Sequence, residues 1–230
     1  MKLIAERLGK LILLFGVLGL VAGCASDNSK IGTSAVLRGM VYNTNRMPML
    51  DVKVSEVKDG KEADSALSDI HGRYFIPAVP YGPVTLRFTK SGYEPLDWSF
   101  AFGGPTQIVY VQIISLNDLL DRAADSVKKR DWEAASAYLA RVRKMEPDNV
   151  VASYLEGEML SAQGSAEQAA ELLEKLSTDK ATYFAVELAL ADLYQNKLAL
   201  PDKALIHLKK AALIRDDIDI ENRITALEKR

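Results

Sequence analysis

Cysteine is almost missing from this sequence: Cys24 stands alone in 230 residues. A disulfide within the chain is therefore impossible. Histidine is nearly as scarce, with only His71 and His207, far apart in the chain. A zinc site built from His and Cys would lack ligands, and no cofactor is expected. Neither sign of charge dominates, since 29 Lys and Arg face 31 Asp and Glu. That balance excludes the basic surplus of a general nucleic-acid binder. A membrane-spanning run is absent too. Leu11–Val21 is uncharged, but as a helix it covers about 16 Å, against about 30 Å for a bilayer core. Disorder is excluded by the 48% hydrophobic content, which is enough to offset chain entropy.

Lys2, Arg7 and Lys10 precede that apolar run, and small residues end it. This order is that of a secretion signal. Its last residues, Val21-Ala22-Gly23-Cys24, resemble the lipobox of bacterial lipoproteins. The resemblance implies cleavage between Gly23 and Cys24, and acylation of the Cys24 thiol and its new amine. Residues 1–23 are then a lipoprotein signal peptide and 24–34 a lipidated tether. Removing three basic residues and one acidic one leaves 26 against 30, a net charge of −4. The acyl chains would be the anchor, at about 0.8 kcal/mol per buried CH₂. In lipoproteins of enteric type an aspartate just after the cysteine causes retention at the inner membrane. Ala25 and Ser26 stand there instead. The resemblance thus implies the outer membrane, facing the periplasm, or the cell membrane of a host with one membrane.

Glycine and proline are distributed unevenly. Eight Gly and six Pro lie between Gly32 and Pro105, but only two of each follow Ser115. Alanine does the reverse, with twenty between Ala123 and Ala226. Gly and Pro are the poorest helix formers and Ala the best, so the fold class changes from β to α near residue 115. The expected class is α+β in separate domains: a small antiparallel β-sandwich, then an α-helical solenoid of about seven helices.

Five strands are expected, at Val36–Tyr42, near Val52, Val54 and Val57, at Tyr74–Ile76, Val84–Phe88 and Gln107–Ile114. Short alternating runs separated by turn residues indicate a sandwich over 35–114. Gly39-Met40-Val41, Ser68-Asp69-Ile70-His71-Gly72-Arg73-Tyr74, Pro80-Tyr81-Gly82 and Lys90-Ser91-Gly92-Tyr93 occur in an order that resembles the carboxypeptidase regulatory-like, or transthyretin-like, domain. Asp69 is expected to lock its turn, and Tyr74 and Tyr93 to bury their rings. Asp69 and His71 read as a turn rather than an acid–base pair, since no nucleophile accompanies them.

Shifting the chain by 34 residues superposes Ala123, Gly157 and Ala191, then Ala135 and Ala169, with Ala204 one residue late. The period resembles the tetratricopeptide repeat. The resemblance implies three paired-helix units, 116–149, 150–183 and 184–217, within 116–230, and a capping helix over 218–229. It also implies a concave face lined by the first helix of each unit. Leu120, Lys128, Tyr154, Glu158, Asp192 and Gln195 are the candidate peptide groove, with Tyr154 as its anchor.

Together these features suggest a non-enzymatic interaction scaffold, anchored in the envelope and binding a protein or peptide there, not nucleic acid. The alternatives are a glycan- or surface-binding lipoprotein acting through the sandwich, and an accessory subunit of a separate envelope peptidase.

Overall fold

The computed structural model describes residues 32–177 and 183–229. Gly23, Cys24, the expected signal segment, most of the expected tether and residues 178–182 of the expected second repeat unit lie outside them. From Thr33 onward the chain forms one compact unit.

Seven strands come first: β1 Ser34–Tyr42, β2 Lys53–Lys58, β3 Lys61–Leu67, β4 Arg73–Pro80, β5 Gly82–Thr89, β6 Leu96–Phe102 and β7 Ile108–Gln112. They make a three-stranded sheet, β4-β1-β7, and a four-stranded one, β3-β2-β5-β6. The expected all-antiparallel sandwich needs correction, because β1 and β7 pair in parallel. Parallel pairing requires a long return path, and here the intervening strands of the other sheet supply it. Two strands escaped the sequence reading. Every residue of β3 but Ala66 is exposed, so no apolar alternation marks it. β6 carries its apolar residues at a sheet edge, where three successive residues are exposed.

Between the sheets lie Leu37, Val41, Tyr74 and Ile76 from one side and Val54, Leu86 and Phe88 from the other. Each fully buried side chain of this size contributes about 1.5–3 kcal/mol. The Tyr74 and Phe88 rings meet edge to face, 5.6 Å apart. Gly39 makes room for this, since a Cβ there would lie 2.2 Å from the Tyr74 hydroxyl. Tyr93 is only half-buried, against the rim of this core. The expected inward row of Val52, Val54 and Val57 is broken by a register shift between Ser55 and Val57. The shift leaves Val57 half-buried and turns Glu56 inward, where Lys58 Nζ stands 3.0 Å from its carboxylate.

Asp69 behaves as its motif predicts. Its Oδ1 accepts from the His71 and Arg73 amides, each at 2.9 Å, and Oδ2 accepts from Arg73 Nε at 2.8 Å. The Arg73 guanidinium holds the Asp69 carboxyl down to about 2. His71 is exposed, and its ring pairs with nothing in this turn.

Seven α-helices follow among the described residues: α1 Leu116–Lys129, α2 Trp132–Met145, α3 Val150–Ala162, α4 Ala166–Glu174, α5 Phe184–Asp192, α6 Pro201–Ile214 and α7 Ile218–Glu228. Short loops make neighbours of α1 and α2, α3 and α4, α5 and α6, and α7 then packs on α6. Sequence signals set the helix starts. Ser115 and Asp118 form a capping box on α1, Asp131 and Asn149 cap α2 and α3, and Pro201 opens α6.

The sandwich and the helices are joined tightly. The Thr44 hydroxyl donates to the capping Asp118 at 2.9 Å. Arg141 of α2 grips Glu94 through Nε at 3.0 Å and Nη2 at 2.5 Å. The Leu116 amide bonds to the Gly92 carbonyl, and the Glu94 amide to the Ile114 carbonyl. Because β1 and β7 run parallel, Tyr42 lies beside Gln112 at the helical end. The chain therefore enters the sandwich at the pole away from the helices.

Candidate functional site

Tyr154 and Glu158 lie one turn apart on α3, both half-buried. Tyr154 packs against both helical cores, so it is in part a structural residue. Burial pushes its hydroxyl pKa up, and the Glu158 and Asp192 carboxylates push it the same way. Burial also raises the Glu158 carboxyl, helped by Asp192. Tyr154, Glu158 and Asp192 thus form one electrostatic cluster across α3 and α5. A half-buried acid beside another acid is stabilised by any cation that joins it.

The remaining groove candidates are placed differently. Arg223 of α7 reaches Asp192 Oδ1 at 2.8 Å and donates to Gln195 Oε1 at 2.6 Å. Asp192 and Gln195 therefore serve to seat α7, because one planar guanidinium fork satisfies both. Leu120 is half-buried against the core of the first helices. Lys128 is exposed at the end of α1 and stands 3.8 Å from Asp125. The described contacts do not bring it to Tyr154. Its long stem carries the charge into solvent instead.

A second cluster was missed by the sequence reading. Glu187 of α5 is fully buried, and its Oε2 lies 2.7 Å from His207 Nδ1 of α6. The other ring nitrogen is 3.1 Å from Glu174 Oε1 at the end of α4. Ser177 Oγ donates to Glu187 at 2.5 Å, and Lys210 Nζ donates to Ser177 at 3.1 Å. Tyr194 donates to Glu174 at 2.9 Å and stacks on the His207 ring, with centroids 5.6 Å apart. Burial, then the Glu174 bond, pushes the Tyr194 hydroxyl up to about 12. A π-helical turn, Leu193–Lys197, carries Tyr194 into place. Such turns gather at functional sites. Outside the cluster lies a cavity of 790 Å³ lined by Glu167, Glu171, Glu174, Tyr194 and Lys203.

Both imidazole nitrogens face carboxylates. A neutral ring has one N–H, so both contacts are hydrogen bonds only if the cluster holds an extra proton. The Ser177 hydroxyl points to Glu187 rather than to His207. The network ties α4, α5 and α6 together. One sequence signal would have found it: Glu187 is an acid in an otherwise apolar helical run, Phe184-Ala185-Val186-Glu187-Leu188-Ala189-Leu190.

Among the described residues no group of three or more His, Cys, Asp or Glu is arranged to hold a metal ion. Nor is any described helix long and apolar enough to cross a membrane.

No family model matches the chain. No curated protein matches its sequence either. Among solved structures, Klebsiella pneumoniae 5-hydroxyisourate hydrolase is similar at 15% identity and a TM-score of 0.27, over 35% of this chain and 88% of that one. Catechol 1,2-dioxygenase from Acinetobacter sp. is similar at 10% identity and 0.29, over 39% of this chain and 55% of the enzyme. The major pilin subunit of Bacillus cereus is similar at 18% and 0.30, over 35% of this chain and 28% of the pilin. Enzymes and a fibre subunit stand side by side in this group.

Proposed function

We propose that the protein is a non-enzymatic interaction scaffold of the bacterial envelope. It is anchored by lipid on Cys24, in the outer membrane and facing the periplasm where the host has two membranes. Its helical half works as a short tetratricopeptide-type array that holds a segment of a partner protein. The observation that carries the reading is the pair of half-buried side chains Tyr154 and Glu158, one turn apart on α3. It fits a partner segment that brings a basic side chain and lays an apolar neighbour on the Tyr154 ring. The lipobox and the 34-residue period support the anchor and the array.

The test uses a photo-crosslinking residue at position 158 in intact cells, with Cys24→Ala and Glu158→Lys in parallel. A single partner crosslinked at 158 is expected. Glu158→Lys, scored with the crosslinker at half-buried Ser161 three residues on, abolishes capture while the fold persists. Cys24→Ala releases the protein from membranes. Capture that is unchanged by Glu158→Lys would refute the groove, and a Cys24→Ala protein still held by membranes would refute the anchor.

A further inference from the structure

The two outer faces of the sandwich differ in kind. On the four-stranded sheet the outward residues pair as a solvated surface does. Lys53 meets Glu62, Arg87 forks onto Asp97, and Thr85 bonds Ser99. On the three-stranded sheet most of the exposed positions are apolar, with Arg38, Arg73 and Gln112 among them. Cross-strand register places Phe75 and Ile108 on either side of Arg38, and Arg73 and Tyr110 on either side of Met40. Phe75 is 51% exposed, Ile108 49% and Tyr110 59%. Trp98, 46% exposed at the edge of the other sheet, shares a 560 Å³ cavity with Tyr110, Tyr42 and Arg46. A one-sided sheet normally turns polar residues to water, and contiguous exposed apolar surface marks an interaction site.

Charge narrows the occupant. The cations on or beside this face are Arg38, Arg46 and Arg73, of which Arg73 is neutralised by Asp69, while no strand residue that points outward here is acidic. The chain as a whole is net negative. Aromatic rings with arginines among aliphatic residues suit the boundary between lipid headgroups and acyl chains. The chain's own length supplies the contact. β1 starts at Ser34, ten residues after Cys24, and a fully extended ten-residue segment reaches about 35 Å at most.

We propose that the outer face of the three-stranded sheet, with Phe75, Ile108, Tyr110 and the adjoining Trp98, lies on the phospholipid surface to which Cys24 is anchored. This rests on the anchor reading above and adds an orientation to it. The sandwich lies along the bilayer on one face, rather than standing on the pole where β1 begins. Arg38 and Arg46 then meet headgroup phosphates, and the charged face of the other sheet points to water.

The sequence provides its own reporters, because Trp98 and Trp132 are the two tryptophans. The native acylated chain is reconstituted in phosphatidylethanolamine–phosphatidylglycerol vesicles with brominated acyl chains, as Trp132→Phe to isolate Trp98 and as Trp98→Phe to isolate Trp132. Bromine in the acyl chains is expected to remove about half of the Trp98 emission, the contact expected of a face lying at the headgroup–acyl boundary. Trp132 emission should change little. Adding Ile108→Asp restores Trp98 emission while the protein stays on the vesicles. Acyl mass on Cys24 is measured in the same samples. Acylated protein whose Trp98 is unquenched, or quenched no more than Trp132, overturns the face. So does a dimer in detergent that Ile108→Asp dissociates, which would assign the face to a second copy. Absence of acyl mass overturns the anchor itself, and the face proposal with it.

Discussion

Single atoms decide whether the helices of this protein meet. A Cβ on Gly157 would stand 2.7 Å from Leu173 Cδ2 and 2.8 Å from its Cγ, and Leu173 is fully buried. Two effects compete in Gly157→Ala. Alanine gains up to about 1 kcal/mol of helix propensity, while overpacking costs about 1–3 kcal/mol. The Leu173 branch point cannot swing aside, so the cost wins. The variant is expected to unfold at lower urea concentration than the native chain. His207→Ala leaves the fully buried Glu187 with Ser177 as its remaining partner, and a buried polar group that loses a hydrogen bond costs about 1–3 kcal/mol. Thermal melts check it, and a variant as stable as the native chain would contradict the network. Glu158 gives a prediction in pH. Its folded carboxyl is raised, so the native state binds the proton more tightly than the unfolded chain does. Stability at this site is therefore lost as pH rises from the ordinary glutamate range through the raised value. Glu158→Gln should raise the melting temperature at neutral pH and have little effect near pH 4. Asp69 has the opposite sign. Its contribution is present above the ordinary aspartate value and is lost as pH falls towards about 2.

At the scale of elements, helix α7 has two tasks. Ile220 and Leu227 are buried in the core of the last helix pair. Arg223 also occupies the acidic end of the α5 face. Arg223→Ala is expected to speed hydrogen exchange along α7 while α1 and α2 keep their protection. Equal rates in α7 before and after would show that its apolar contacts alone hold it. The π-helical turn works in a similar way. Its extra residue brings Tyr194 within bonding distance of Glu174, which a regular continuation of α5 would place differently.

At the scale of the molecule, the sandwich and the helices behave as one body because polar contacts cross the junction. The Arg141–Glu94 pair is half-exposed on both sides. Its two-pronged geometry favours it, and solvent screening limits its worth to about 1 kcal/mol. A double-mutant cycle on Arg141→Ala and Glu94→Ala should return a coupling of that order in urea denaturation. No coupling would leave the junction to Thr44–Asp118 and the backbone bonds. A fixed junction sets the angle between the pole where β1 begins and the helical face that carries Glu158.

The sequence alone determined the change from β to α near residue 115. Gly, Pro and Ala act through local backbone preference, and β7 and α1 duly end and start on either side of it. It also determined the Asp69 turn, the starts of α1, α2, α3 and α6 and the close approach at Gly157, all made by residues near in sequence or in period. Tertiary structure alone decided the rest. The parallel β1–β7 pairing joins residues about seventy positions apart, and no local pattern encodes which edge a strand will find. β3 is held by its partner β2, not by its own hydrophobicity. Arg223 claimed Asp192 and Gln195 because folding brought α7 back over α5. Glu187 and His207 look like misplaced polar residues until packing faces them with each other. Their meaning lies in a desolvated contact, which exists only once water has been excluded.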